Sequence, residues 1–583
     1  MKNLLSKNDI HSLSVHIDKK RKYQILYLLL VTILAGLLEM LSIISIVPFV
    51  KLITAGENFA EKIDFILKFI EIKNKEDAII ITGLIFSFLY LANSLVRIFL
   101  IYITAKISQN ITAELSVKVY KAKLYDSYIN HISTSSSGVI SAITQKIYQI
   151  GIVLSSFINL ISGFFIFLSI IIILIFLDPK IISICLVFFG LLYFLIIFIG
   201  KKTIRRSSQI VNLEQNKIIT NLQNGLGAIR DILIDKTQNF YTKIFEKSSF
   251  SKAKREAVLL VIQNSPRYIL EGMAVALFVF LLIYWSRYSV NPGDPTKIFP
   301  TLAALAIGTQ RILPLINQMY SQFTIIKSNA YQIKEVVLIL NKSLERQEKK
   351  ILIKKEKISF EKYITFKDIG FSYDGNKNIF ENVNFRIRKG SRVGIIGKTG
   401  EGKSSFLDLL MGLLEPNKGN IYIDDNKLSP LTNDSWQSKI SHVPQKIFLS
   451  DSSFLENIAF GEELNEIKIK RVEMAAKKAQ IHDFITKSEN QYMEQVGERG
   501  VRLSGGQIQR IALARALYKK SEVIIFDEAT NSLDHETEKL VMQELNSLDA
   551  NLTVIIVAHR LNTLSSCDEI YEIKDKQLLK ISL

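Results

Sequence analysis

The sequence predicts an all-α membrane domain of six transmembrane helices, followed by an α/β domain that carries a phosphate-binding loop. Six long apolar stretches occupy the first 320 or so residues, whereas short strand-like runs and helical patterns alternate after residue 358. Between the two parts, residues 341–357 are mostly lysine and glutamate. The 583-residue length, with 48% hydrophobic and 22% charged residues, fits a very apolar domain joined to an ordinary α/β domain. This composition, with only two cysteines, excludes a disordered chain and a small disulfide scaffold.

Each of the six stretches has about the length that a helix needs to cross a membrane. They span residues 23–50, 78–105, 151–177, 181–200, 268–286 and 298–320. A hydrocarbon core about 30 Å thick requires roughly 20 apolar helical residues. Buried helices of a water-soluble protein would keep a polar face, which these stretches lack. We therefore expect a cytoplasmic N-terminus at 1–22, a transmembrane domain at 23–330, a linker at 331–358 and an α/β domain at 359–583.

The positions of the charged residues predict the orientation in the membrane. The formal net charge is +18, and clusters of lysine and arginine stand at 19–22, 201–206 and 252–255. The segment between the first two apolar stretches is instead rich in aspartate and glutamate. The positive-inside rule then places the N-terminus and the α/β domain in the cytoplasm of a multi-pass protein of the inner (plasma) membrane. Because topology accounts for much of the positive charge, we expect no nucleic-acid partner.

A glycine-rich motif predicts a site for nucleotide phosphates. Residues 397–404, GKTGEGKS, fit the pattern GxxxxGK[ST] and lie between a short apolar strand and an apolar helical pattern. The glycines let backbone N–H groups turn toward a phosphate, and the helix N-terminus adds partial positive charge. Lys403 is expected to reach the β- and γ-phosphates, and Ser404 is expected to bind Mg²⁺.

Two adjacent carboxylates predict the hydrolytic part of the same site. Residues 523–526 form an apolar strand that ends in Asp527 and Glu528. Phosphoryl transfer to water needs one acid to hold Mg²⁺ and one base to orient or deprotonate the water. Asp527 suits the first role, and Glu528 suits the second.

The sequence LSGGQ at 503–507 resembles the signature of ATP-binding cassette (ABC) proteins. The order of a six-helix membrane domain and a nucleotide-binding domain is similar to that of an ABC exporter half-transporter. Other motifs of that family occur in the expected order along the chain. Tyr373 matches the aromatic residue that stacks on adenine, Gln445 matches the Q-loop glutamine, and residues 496–500 resemble an exporter loop. Residues 532–534 match the D-loop, and His559 matches the switch histidine.

This resemblance implies a complete site for ATP and Mg²⁺. It assigns catalytic roles to Glu528, His559 and Gln445, and Mg²⁺ ligation to Ser404, Gln445 and Asp527. The residues that it places on ATP are Tyr373, Gly397, Thr399, Gly400, Gly402, Lys403, Ser404, Ser405, Ser504, Gly505, Gly506, Gln507 and Asp534. Small departures from the family pattern at Ile508, Asn531 and Ser532 remove no catalytic group.

The resemblance also implies an assembly. In ABC proteins each ATP lies between the phosphate loop of one subunit and the signature of the other, so a half-transporter of this kind works as a dimer. We expect a homodimer with two composite sites. Short cytoplasmic coupling helices are expected near 125–132 and 222–230, because exporters of this family dock such helices on their nucleotide-binding domains.

Intramembrane charges suggest the substrate. Arg97, Arg267, Glu271 and Arg311 interrupt or flank apolar stretches, where charge is costly and points to function. Guanidinium groups bind phosphate through a bidentate fork, so a shared cavity for an anionic lipid or lipid-linked substrate is one interpretation. The patterns around Arg267 and Arg311 resemble those of bacterial lipid-linked oligosaccharide flippases. Alternatively, Arg267 and Glu271 neutralise one another on one helix face. Glu39 either pairs with one of the arginines or faces solvent in the cavity.

Rival functions stay open at this point. The chain also fits an exporter of drugs, peptides or other lipids. An ABC-type channel or regulator is a further alternative, although intact Glu528 and His559 favour turnover.

Overall fold

The computed structural model describes residues 7–45, 49, 52–53, 75–177, 179–288, 295–351, 356–375, 377–528, 543, 551–558 and 564–581. The chain divides into two compact units. The first comprises residues 1–126 and 134–346, and the second comprises residues 127–133 and 347–583. The predicted linker at 331–358 therefore contributes to both units.

The first unit is helical. Its described helices begin with α1 (Lys7–Val15), α2 (Lys19–Ile44) and α3 (Lys75–Leu124). The next helix in the chain, α4 (Tyr128–Ser133), belongs to the second unit. The first unit continues with α5 (Ser136–Ser141), a π-helical turn (Ala142–Lys146), α6 (Ile147–Leu177), α7 (Pro179–Gly227), α8 (Ile229–Ile234), α9 (Gln238–Tyr288), α10 (Pro295–Ser328) and α11 (Ala330–Ile351). The predicted apolar stretches lie in α2, α3, α6, α7, α9 and α10. The first of them extends past the end of α2, and residues 46–48 and 50 lie outside the described residues.

Four helical spans among the described residues are long and apolar enough to cross a membrane. They are Lys19–Ile44, Glu76–Leu124, Ser136–Ile172 and Val187–Gly227. α3 and α7 continue for about 20 or more residues beyond their apolar stretches, which lengthens them well past a bilayer. Helix α2 packs on α3 and α6, α10 packs on α6, and α7 packs on α9.

The N-terminal helix and α11 pack together on the helical unit. The apolar side chains of Leu13, Val119 and Val336 belong to one buried cluster. Around it, the ring Nε2 of His16 lies 2.8 Å from Oδ1 of Asn341. The part of α11 that precedes the charged segment at 341–357 is therefore packed on the helical unit. Its apolar residues recur every three or four positions on one face.

A buried carboxylate joins α2 to α3 within the membrane stretches. Glu39 is fully buried, and its Oε2 accepts a 2.5 Å hydrogen bond from Nδ2 of Asn93. Nη2 of Arg97 lies 2.7 Å from the same oxygen. The pairing of Glu39 with an arginine is thus the alternative that the structure shows, and it compensates two charges that are costly in an apolar surrounding.

The second unit is an α/β domain with two sheets. Its strands are β1 (Tyr363–Phe371), β2 (Phe380–Arg388), β3 (Arg392–Gly397), β4 (Lys418–Ile423), β5 (Asn426–Lys427), β6 (Ile440–Val443), β7 (Val523–Asp527), β8 (Thr553–Val557), β9 (Glu569–Lys574) and β10 (Gln577–Ile581). The six-stranded sheet has the order β10-β9-β3-β8-β7-β6, and all its pairs except β10 with β9 are parallel. The four-stranded sheet, β2-β1-β4-β5, is antiparallel.

The helices of this unit divide between two hydrophobic clusters. They are α12 (Lys403–Leu410), α13 (Asn433–Ser438), α14 (Phe454–Ile458), α15 (Ile469–Lys478), α16 (His482–Thr486) and α17 (Gly505–Tyr518). Helix α12 buries Phe406 and Leu409 with the antiparallel sheet in the first cluster. Helix α17 buries Ile511 and Leu513 with α14 and α15 in the second. The strands β7 and β8 are buried on both faces and so contribute to both clusters.

The short helix α4 belongs to the second unit although it follows the long helix α3 in the chain. Burial and the nearby carboxylate of Asp408 raise the pKa of the Tyr128 phenol above its usual value. Helix α4 overlaps the segment 125–132 that is expected to form a coupling helix, and α8 (Ile229–Ile234) overlaps the end of the other expected segment.

The buried pair yields a stability prediction. Glu39→Gln should leave the Arg97 guanidinium without its carboxylate and destabilise the helical unit. Because the Arg97 side chain is 36% exposed, we expect a cost of about 2 kcal/mol, below that of breaking a fully buried pair. The measurement is thermal unfolding of the full chain in detergent. The double variant Glu39→Gln/Arg97→Gln, which removes both charges, should recover most of the loss, and a double variant less stable than the single one would contradict the pairing.

Candidate nucleotide site

The phosphate-binding loop lies between β3 and α12, as the motif predicts. Gly402 has a φ of +102°, a conformation that side-chain-bearing residues rarely adopt. A Cβ at this position would lie 2.6 Å from Cγ2 of Ile379. Glycine is therefore required here both by backbone conformation and by space, and it sets the direction in which α12 begins.

The polar side chains of this loop fold back on its backbone. Nζ of Lys403 donates to the carbonyl oxygen of Gly397 at 2.6 Å, and the Lys403 side chain is largely buried. The carboxylate of Glu401 accepts a 2.7 Å hydrogen bond from the backbone N–H of Lys398. Glu401 occupies a variable position of the motif, and here it fixes the curvature of the loop.

The predicted carboxylates and the predicted glutamine meet at the carboxyl end of the parallel sheet. Nε2 of Gln445, just after β6, donates to Oε2 of Glu528 at 2.6 Å. Asp527 ends β7, and its pKa is raised by burial and by the neighbouring Glu528, while Lys403 acts in the opposite direction. The structure thus brings Lys403, Gln445, Asp527 and Glu528 close together, through this hydrogen bond and through the effects of Glu528 and Lys403 on the pKa of Asp527.

Glu528 is held in an unusual backbone conformation. Its φ is +51°, and its backbone N–H donates to the carbonyl oxygen of Val557 on β8 at 3.0 Å. A positive φ at a residue other than glycine costs of order 1–3 kcal/mol and is found preferentially at functional sites. The strand end therefore aims the carboxylate away from the strand direction and toward Gln445.

Tyr373 lies beside the phosphate loop. Its phenolic oxygen is 3.1 Å from Oγ of Ser405 in α12, and its ring packs edge-on against Phe371 at 5.0 Å between centroids. The ring remains 41% exposed. An exposed aromatic face next to the loop is suited to stacking on a nucleotide base.

The signature residues form the exposed N-terminus of α17. Oγ of Ser504 accepts a hydrogen bond from the backbone N–H of Gln507, and Oε1 of Gln507 accepts one from the N–H of Ser504 at 2.8 Å. This capping box leaves Gly505 and Gly506 at a helix end where backbone N–H groups and the helix dipole favour an anion. Leu503 and Ile508 anchor this end to the second hydrophobic cluster, whereas the phosphate loop adjoins the first.

The structure adds one residue that the sequence reasoning missed. Asp408 lies on α12, and burial together with the nearby Asp527 carboxylate raises its pKa to about 6. The available signal was a single acid in the otherwise apolar run after Ser405. Asp408 therefore adds a titratable carboxyl group close to the predicted Mg²⁺ ligand.

Some predicted residues lie outside the described part of the chain. These are His559, Asp534, Asn531, Ser532 and the side chain of Arg311. Arg267 is described, and its Nε donates to Oε1 of Glu271 at 2.8 Å on an exposed helix face. Arg97 pairs with Glu39. The structure thus gives both described arginines a carboxylate partner.

The residues fit a metal ion that arrives with a nucleotide. No cluster of three or more His, Cys, Asp or Glu side chains suited to a metal occurs within the described ranges. Mg²⁺ bound with ATP does not need one, because phosphate oxygens and water supply most of its ligands. Ser404 at the start of α12, Gln445 after β6 and Asp527 at the end of β7 would supply the protein ligands.

Two family matches decide the identity of the chain. Residues 25–309 match the ABC transporter transmembrane region, and residues 380–531 match the family described as ABC transporter. The chain belongs to the ABC transporter family. This confirms the predicted resemblance to ABC exporters and the predicted fold class, and it confirms ATP as the nucleotide of the second unit. Mg²⁺ stays a prediction.

Known proteins resemble the transporter over different lengths. The ATP-dependent lipid A-core flippases of Salmonella typhimurium and Escherichia coli K12 are each 29% identical to it over 399 residues, which is 67% of this chain and 66% of theirs. An uncharacterised ABC transporter ATP-binding protein of Sinorhizobium fredii is 39% identical over 215 residues, 37% of this chain and 36% of that protein.

A solved structure supports the fold over almost the whole length. A bacterial Atm1-family ABC exporter with ATP bound superposes with a TM-score of 0.74 at 20% sequence identity, covering 96% of the transporter and 95% of that chain. The fold is therefore that of an ABC exporter, with a multi-pass helical domain followed by the ATP-binding domain.

The raised pKa of Asp408 gives a pH-dependent prediction. Since the folded pKa of about 6 exceeds the ordinary aspartate value of 3.8, ionisation of Asp408 reduces stability as the pH rises from about 4 to about 6. Asp408→Asn should therefore stabilise the second unit by about 2 kcal/mol near pH 8, and by roughly half as much near pH 5. The measurement is nucleotide-free thermal unfolding of the full chain, followed by fluorescence of the buried Trp436, whose indole N–H bonds to the end of α12.

The control is Asp425→Asn, which changes an exposed aspartate of the same unit. That variant should unfold like the wild type at both pH values. A stabilisation by Asp408→Asn that does not depend on pH would contradict the account.

Proposed function

We propose that the protein is an ATP-hydrolysis-driven exporter that works as a homodimer and flips a lipid-linked oligosaccharide or a related anionic lipid across the membrane. The observation that carries the ATPase part is the Gln445–Glu528 hydrogen bond beside Asp527 and Lys403. A base, its orienting amide, a Mg²⁺ ligand and a phosphate-binding lysine are the groups that phosphoryl transfer to water requires.

Each of the polar residues of the site has its own role in the proposed hydrolysis of ATP. Lys403 would turn from the Gly397 carbonyl to the β- and γ-phosphates, where it neutralises negative charge. Glu528 would accept the proton of the attacking water at a carboxylate oxygen, and Gln445 would orient that carboxylate and the water. Ser404, Gln445 and Asp527 would hold a Mg²⁺ ion, which would withdraw charge from the phosphate oxygens.

The homodimer proposal is supported by where the two halves of the site lie. The phosphate loop adjoins one hydrophobic cluster of the second unit, and the signature at Ser504 and Gly505 is anchored on the other. The signature's exposed helix N-terminus is free to receive the γ-phosphate of an ATP bound to a second copy. Two chains in antiparallel contact would then enclose two ATP molecules.

The substrate proposal is supported by the relatives and by the arginines. The flippases of Salmonella typhimurium and Escherichia coli act, by their names, on a lipid A-core. In this chain, Nη2 of Arg97 lies 2.7 Å from Oε2 of Glu39, whereas its buried Nε makes no hydrogen bond with the described residues. A phosphate oxygen could accept a hydrogen bond from Nε, so we propose that Arg97, Arg267 and Arg311 attract an anionic head group in competition with their carboxylates.

The test of the ATPase mechanism is Glu528→Gln. An amide keeps the volume and the contact to Gln445 but cannot accept a proton, so ATP should still bind while steady-state hydrolysis falls by at least a hundredfold. With Mg²⁺-ATP the variant should retain about one ATP per chain and stay dimeric in size-exclusion chromatography with light scattering.

The matched control is Glu463→Gln, an exposed glutamate in the same unit, which should hydrolyse ATP normally. Near-normal turnover by Glu528→Gln would assign the base to another group. ATP retained by a monomer would argue against composite sites.

A further inference from the structure

A groove lies between α2 and α3, at the level where the apolar stretch of α2 begins and that of α3 ends. Its cavity volume is about 770 Å³, and it is lined by charged, aromatic and aliphatic side chains. Lys20 and Tyr23 lie on the α2 side, and Ile103 and Lys106 lie on the α3 side. The groove lies entirely within the helical unit and is separate from the ATP site and from the intramembrane Glu39–Arg97 pair.

The groove carries positive charge that is not paired within the described residues. Arg21 is satisfied, because its Nε and Nη2 donate to Glu114 at 2.9 and 2.7 Å and its Nη1 donates to Gln24. Lys20 and Lys106 are both exposed, and neither has a carboxylate within 4.0 Å in the part of the chain that the structure describes. Lys106 instead lies over the ring of Tyr102 at 5.6 Å.

The two lysines lie at the same membrane boundary. The apolar stretch of α2 begins three residues after Lys20, and the apolar stretch of α3 ends immediately before Lys106. Tyr23 and Tyr27 are 71% and 60% exposed beside them, as expected of aromatic residues in the interfacial region. Leu26, which lies in the apolar stretch of α2, is exposed as well.

We propose that this groove binds the head group of an anionic phospholipid from the cytoplasmic leaflet, as a lipid site distinct from the transported substrate. The two ammonium groups and the tyrosine hydroxyls contact the phosphate, and the acyl chains lie against the apolar side chains below. Basic grooves between transmembrane helices on the cytoplasmic side suit such head groups. The inference rests on the proposed membrane protein having the orientation that the positive-inside rule predicts, but not on transport.

The chemistry favours a lipid over a free phosphate ion. A site for a small anion needs convergent donors shielded from water, whereas Lys20 and Lys106 are exposed and screened by salt. The apolar wall, with Ile103 and the buried Ile107, adds affinity only if the ligand has hydrocarbon chains. An anionic lipid satisfies both parts of the groove at once.

The experiment is native mass spectrometry of the full chain in detergent, titrated with phosphatidylglycerol or phosphatidylcholine. The wild type should bind phosphatidylglycerol at least tenfold more tightly than phosphatidylcholine, with one high-affinity site per chain. Lys20→Gln/Lys106→Gln should lose this preference. The control Lys201→Gln/Lys202→Gln removes two exposed lysines that directly follow the apolar stretch at 181–200 but do not line the groove, and it should keep the preference.

Equal loss in both double variants would show that only general surface charge matters and would overturn the proposal. Displacement of the lipid by millimolar inorganic phosphate would assign the groove to a free anion instead. Disulfide cross-linking between copies through Lys106→Cys, in a background without Cys185 and Cys567, would assign it to a subunit contact. All variants should retain basal ATP hydrolysis, so failure of lipid binding is distinguishable from failure of the ATPase mechanism.

Discussion

The hydrogen bond from Gln445 to Glu528 is the interaction on which the ATP site depends. It joins the carboxyl ends of β6 and β7, and the strand order places β3, with the phosphate loop, two strands away from β7 in the same parallel sheet. Ligand sites in such sheets form where the carboxyl ends of the strands meet. Lys403, Asp527, Glu528 and Gln445 are scattered over 126 positions of sequence, and this topology brings them together.

The same arrangement explains the strain and the burial around it. Glu528 adopts a positive φ so that its carboxylate turns toward Gln445, and its backbone N–H is held by β8. Burial is the main reason that the pKa values of Asp408 and Asp527 are raised, and a neighbouring carboxylate adds to it in each case, Asp527 for Asp408 and Glu528 for Asp527. A cation bound at Asp527 would stabilise the charged forms of these carboxyl groups, which supports the assignment of Asp527 to Mg²⁺.

In the helical unit, the governing constraint is that a charge in apolar surroundings needs a partner. Glu39 has Asn93 and Arg97, and Arg267 has Glu271. A substrate that binds these arginines must therefore offer enough negative charge to compete with a carboxylate. This requirement agrees with the proposal that the transported substrate is a phosphate-bearing lipid.

The fold class and most of the ATP site could be predicted because each motif is short, local and chemically specific. Residues 397–404 and the pair Asp527–Glu528 stand next to the strands that position them, so the sequence alone indicates their geometry. The partner of Arg97 could not be selected in the same way, because Glu39 is 58 residues away and the choice depends on helix packing. Asp408 was missed for a related reason, since its neighbour Asp527 comes from a distant strand.

ATP-dependent lipid translocation by the purified transporter in proteoliposomes tests the central claim most directly. The probe is a fluorophore-labelled polyprenyl-diphosphate-linked oligosaccharide, compared with labelled phosphatidylcholine, and movement is read as protection from a quencher outside the vesicles. The account predicts that Mg²⁺-ATP drives movement of the diphosphate-linked lipid and leaves phosphatidylcholine in place. Equal movement of the two lipids, or no movement while ATP is hydrolysed, would contradict it.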